Sequence, residues 1–93
     1  MINIKYNNDS ITISGHSTSD VCAAISSITY TGVNFLSEYR DNCIDFTDDG
    51  INMVVKILEH DDTIDKIFST MIKMYQDVVD QVPEDCINLE NMI

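Results

Sequence analysis

The sequence predicts a two-layer α/β (α+β) domain: a mainly antiparallel sheet with two helices on one face, in the order ββαββα with a short last strand. Three observations predict it. Alternating apolar and polar residues occur in two pairs of short segments, each pair joined by a turn signal. A longer segment with apolar residues three and four apart follows each pair. A single proline then precedes a closing apolar run. Segments mixed in this way pack helices against one face of a largely antiparallel sheet.

The first strand is Met1 to Asn7, where Ile2, Ile4 and Tyr6 alternate with Asn3 and Lys5. Asn7-Asn8-Asp9 is turn material, and Ser10 to Ser14 alternates again with Ile11 and Ile13 inward. The first helix is expected from about Asp20 to Tyr39, capped by Ser19 or Asp20, with Val21, Ile25, Ile28, Gly32, Phe35, Leu36 and Tyr39 on its apolar face. Gly32 and several β-branched residues lower its helix propensity, so packing must hold it. Arg40-Asp41-Asn42 ends it. Asn42 to Thr47 and Ile51 to Leu58 form a second hairpin about Asp48-Asp49-Gly50, with a type I′ or three-residue turn. Ile51, Met53, Val55 and Ile57 share one face of its second strand. Asp62 or Thr63 caps the second helix. Its stripe runs Ile64, Ile67, Phe68, Met71, Ile72, Tyr75, Val78, Val79 and Val82, and Pro83 stops it. Met71, Met74 and Tyr75 read as packing. Cys86 to Leu89 forms a short edge strand.

The chain of 93 residues reads as one domain spanning 1–93. A core this small makes oligomerisation a natural way to bury more surface, and the far edge of the second helix at Met74 and Val78 is a candidate contact. Sixteen acidic residues against 5 basic give a net charge of −11. That balance argues against nucleic acid and anionic membranes as partners. It suits a basic peptide or protein tail, and it also suits simple solubility. Three cysteines without a Cys-x-x-Cys pair argue against a zinc site or disulfide framework, so no metal and no cofactor is expected. The first residues lack the basic and apolar regions of a signal peptide, and no apolar run reaches membrane-spanning length. The expectation is a cytoplasmic protein with reduced thiols.

The stretch Gly15-His16-Ser17-Thr18-Ser19-Asp20-Val21-Cys22-Ala23-Ala24-Ile25-Ser26 carries the chemistry. It puts a histidine at the end of a strand and a cysteine in the first turn of a helix. A helix start leaves backbone N–H groups unpaired and carries partial positive charge, which favours a thiolate. An imidazole beside a thiol can take its proton and return it to a leaving amine. Backbone N–H groups around Cys22 and Ala23 are candidates to hold an oxyanion. Ser26, four residues after Cys22, stacks on the same face, either near the thiol or bonded back to the helix. Taken alone, His16 is a solvated histidine or a base, and Cys22 a small buried hydrophobe or a nucleophile. His60, between Glu59 and Asp61, reads as solvated. Cys43 and Cys86 read as structural.

Gly-His followed by Asp-x-Cys-Ala-Ala-Ile-Ser resembles the Prp-like ribosomal-processing cysteine proteases, whose pattern is Gly-His, a loop, then Asp-Ile-Val-Cys-Ala-Ala-Val-Ser. Gly15, His16, Cys22, Ala23, Ala24 and Ser26 fall on it. The loop is shorter here, and Asp20 stands two residues before the cysteine instead of three. The order of elements matches over nearly the whole chain, including the late Pro83. The resemblance implies the same two-layer fold and a homodimer. It implies an endopeptidase with Cys22 as nucleophile, His16 as base, and an aspartate, here Asp20, orienting the histidine. The implied substrate is the N-terminal extension of large-subunit ribosomal protein twenty-seven, or a virion protein for a bacteriophage member. The alternative on the same fold is an inactive, acidic, dimeric module that binds a peptide or protein without cutting it.

Overall fold

A computed structural model describes residues 1–93. The order is β1 (Ile2–Tyr6), β2 (Ser10–Gly15), α1 (Ser19–Tyr39), β3 (Ile44–Asp48), β4 (Asn52–Ile57), α2 (Asp62–Val79) and β5 (Ile87–Asn91). The five strands form one sheet in the order β3-β4-β2-β1-β5. Three of its pairings are antiparallel. The fourth is parallel and sets Ile2 of β1 beside Ile87 of β5.

Period-two alternation turns Ile2, Ile4, Ile11, Ile13, Val55 and Ile57 into the core. The helices cover that face with Val21, Ile25, Leu36, Ile64, Phe68, Met71 and Tyr75, and all belong to one buried cluster. A deep hydroxyl pair ties the helices together. Thr29 Oγ1 donates to the Ile25 carbonyl at 2.8 Å, so the Tyr75 hydroxyl, 2.6 Å away, donates to Thr29. Burial pushes the Tyr75 hydroxyl up to about 12. Gly32 lets α1 approach α2 closely, since a Cβ there would fall on the Met71 sulfur.

Several element ends differ from the sequence expectation. The N-cap of α1 is Thr18, not Ser19 or Asp20: Thr18 is the last extended residue (φ −63°, ψ 158°), and no side chain caps this end. The N-cap of α2 is Asp61, not Asp62 or Thr63, and its carboxylate accepts the Ile64 N–H at 2.7 Å. That helix ends at Val79, ahead of Pro83, which instead shapes the turn into β5 by accepting the Cys86 N–H at 3.0 Å. Ile51 lies outside β4 and is exposed, because it belongs to the turn. Asp49 pairs with Asn52, leaving Gly50 (φ +83°) and Ile51 as the two turn residues. Only Gly50 of the two has positive φ, which excludes type I′ and matches type II′.

Candidate active site

The site grows from the end of β2. Ile11 and Ile13 hold that strand in the core, and Gly15 turns it outward at φ +85°, in the region glycine tolerates best. A Cβ at Gly15 would overlap the Met1 carbonyl oxygen. The next residue is therefore presented at a fixed place on the sheet's end. Its carbonyl accepts a 2.7 Å bond from the Met1 nitrogen, and the His16 side chain is exposed.

Ser17 and Thr18 then lead into α1. Cys22 is the fourth residue of that helix, further in than the sequence suggests, and its N–H already donates to the Thr18 carbonyl at 3.0 Å. The free donors at this end are the N–H groups of Ser19, Asp20 and Val21, which have no intrahelical carbonyl and no side-chain cap. The half-buried Cys22 sulfur faces back toward Ser17, 3.5 Å from its nitrogen and 3.6 Å from its oxygen.

His16, Cys22 and Ser26 open onto one cavity of about 280 Å³ at this end of the sheet. Ile2, Ile13, Ile25 and Met53 give it apolar walls. The thiol takes its hydrogen-bond contacts from Ser17 and not from the imidazole. Asp20 and Ala23 are exposed on the helix and do not line the cavity.

The far wall is the β3–β4 hairpin, with Asp48, Gly50, Ile51 and Asn52. The Tyr30 hydroxyl of α1 donates to one Asp48 oxygen, and the Gly50 N–H donates to the other at 3.0 Å. Those two bonds, the tyrosine's first, hold the Asp48 carboxyl below its usual value, and the same contact raises the Tyr30 hydroxyl. In the sequence, Asp48 reads only as part of a turn. Its partner lies 18 residues away, and nothing local announces that contact.

The remaining candidates lie elsewhere. Cys43 is fully buried and its thiol donates to the Leu36 carbonyl at 3.3 Å, and burial pushes that thiol up. Cys86 is half-buried, and all three cysteines are free. His60 is more than solvated: its ring bridges Asp65 at 2.6 Å and Asp9 at 2.7 Å. These two carboxylates raise its basicity, Asp65 first. A second hollow of about 410 Å³ beside His60 contains no thiol.

A family model described as cysteine protease Prp matches residues 1–87. No curated protein matches the sequence. The fold is similar to a crystal structure of an essential ribosomal processing protease Prp from S. aureus with a covalently linked product peptide. The TM-score is 0.88 at 21% identity, covering 98% of this chain and 99% of that one. A second structure of that protease, with a substrate peptide, gives 0.88 at 17% identity with the same coverage. SMU.848 from Streptococcus mutans gives 0.83 at 19% identity, covering 99% of this chain and 94% of that one. The cysteine, the histidine and the cavity that both line thus sit in a matching sequence on a matching fold, and the chain belongs to the family of the cysteine protease Prp.

Proposed function

We propose that the protein is a cysteine endopeptidase using Cys22 and His16. The observation that carries this reading is that both residues line one cavity, in a chain that belongs to a cysteine protease family. The His16 imidazole takes the thiol proton, and the Cys22 sulfur attacks a peptide carbonyl carbon, forming a C–S bond. The C–N bond then breaks, and the imidazolium gives its proton to the leaving amine. Water, deprotonated by the imidazole, attacks the thioester. The C–S bond breaks, releasing the acid and the thiolate. The unpaired N–H groups at the start of α1 and the Ser17 N–H beside the sulfur are the candidate donors for an oxyanion. Ser26 faces the same space and is a candidate to orient substrate. Asp20 and Ala23 lie outside the cavity.

The S. aureus protease has been seen with a substrate peptide, which supports a peptide as the occupant of this cleft. We propose the N-terminal extension of large-subunit ribosomal protein twenty-seven, or a virion protein if the chain serves a bacteriophage. A net charge of −11 favours a basic substrate and disfavours nucleic acid and anionic membrane as partners. No helix is long and apolar enough to cross a membrane. The reading includes a cytoplasmic location and a homodimer. The exposed Phe35, Tyr39 and Met74 offer apolar surface for the dimer.

The test is incubation with a panel of extended ribosomal-protein N-termini, read by mass spectrometry. Wild type should cut at one site and Cys22→Ala should not; equal cutting by both would mean that Cys22 is not the nucleophile. The thiol's contact with Ser17 and not with His16 favours a second reading, a binding module without cleavage. Under that reading the panel is bound and left whole.

A further inference from the structure

We infer that Asp48 sets the specificity of the cleft by receiving a lysine or arginine side chain of the bound peptide. The inference rests on the proposed reading that a peptide occupies this cavity. Apart from His16, Asp48 is the one ionisable carboxylate or base on the cavity wall besides the thiol, and no lysine or arginine lines it. Its ion-pair capacity is open, since the basic groups that form ion pairs, Arg40 and His60, pair with other carboxylates.

The carboxylate is also held in place. The Tyr30 hydroxyl fixes one oxygen and the Gly50 N–H the other. Tyr30 is itself braced edge-on by Phe46, with ring centroids 5.3 Å apart at 82°. Each oxygen has a second lone pair, so a cation can be accepted without giving up either bond. An anion held in this way loses little freedom on binding, and preorganisation of that kind favours affinity. The same bonds keep it ionised. Ile51 and Met53 stand beside it and suit the methylene stem of a long basic side chain. An acidic side chain at that position would face like charge as water leaves the cleft, so the site also rejects it.

The experiment is affinity selection from a random decapeptide pool on the Cys22→Ala protein at about 0.15 M salt, where distant charges are screened. Retained peptides are sequenced by mass spectrometry. The expected result is Lys/Arg enrichment of about fivefold at one position, the size an exposed ion pair supports. Asp48→Asn in the same background should abolish it, and Asp48→Lys should turn it toward Asp/Glu, with circular dichroism confirming the fold. If no peptide is retained, if Lys/Arg is not enriched, or if it is enriched equally at every position, the assignment is overturned. Enrichment that survives Asp48→Asn overturns it too. Wild-type cleavage of the selected peptides is scored separately. Selection without cleavage would sink the protease and leave Asp48 standing, while cleavage without Lys/Arg preference would do the reverse.

Discussion

Gly15 meets two demands at once, a backbone angle of φ +85° and a close approach to the Met1 carbonyl. Alanine there meets strain from both, and the left-handed conformation alone costs about 1–2 kcal/mol. Gly15→Ala is therefore expected to lose at least that much in urea denaturation and to displace His16, lowering cleavage as well. Cys22→Ala removes one half-buried sulfur whose only polar contacts are long. It should abolish cleavage with a stability change of about 1 kcal/mol or less; a collapsed circular-dichroism spectrum would make Cys22 a core residue instead. The residue pair was legible because glycine-histidine and the cysteine run lie close in sequence and their chemistry is local. Asp48 was not, because its meaning comes from Tyr30 on another element. His60 was hidden for the same reason, with Asp9 on the β1–β2 turn and Asp65 on α2.

At the scale of elements, the His60 clamp joins the β1–β2 turn to the first turn of α2. The folded state raises the basicity of His60 above the ordinary imidazole value of about 6.5. Folding is thus favoured most where His60 is charged in both states, below that value. The gain fades as pH rises from about 6.5 through the raised folded value. The stability advantage of wild type over His60→Gln should therefore be larger near pH 6 than at pH 8.5; an advantage that grows with pH would contradict the clamp. The close seam between the helices is tested at Gly32. Alanine improves helix propensity by about 1 kcal/mol but drives a methyl into the buried Met71 sulfur, and overpacking of this sort costs about 1–3 kcal/mol. Gly32→Ala is expected to lower the denaturation midpoint. Both helices were legible from their apolar stripes, but their starts were not. Ser17, Thr18, Ser19 and Asp20 are all good caps, and only the backbone path selects Thr18.

The whole molecule is one sheet with both helices on the same face, and the hairpins behind that arrangement could be read from alternation and turn residues. The parallel pairing of β5 with β1 could not, because it joins the two ends of the chain and leaves no local trace in either strand. It also braces β1, whose first residue Ile2 both lines the cavity and lies in the core. The proposed dimer belongs to this scale: light scattering at micromolar concentration should give twice the chain mass of 10.5 kDa, and a monomer would sink it. The central claim, that His16 activates the Cys22 thiol, is tested most directly by site-resolved iodoacetamide labelling at neutral pH. Cys43 is buried and would label slowly whatever its chemistry, so the informative comparison is Cys22 with and without the imidazole. Cys22 is predicted to label much faster in wild type than in His16→Ala, with both proteins folded; equal rates at Cys22 in the two proteins would contradict the dyad.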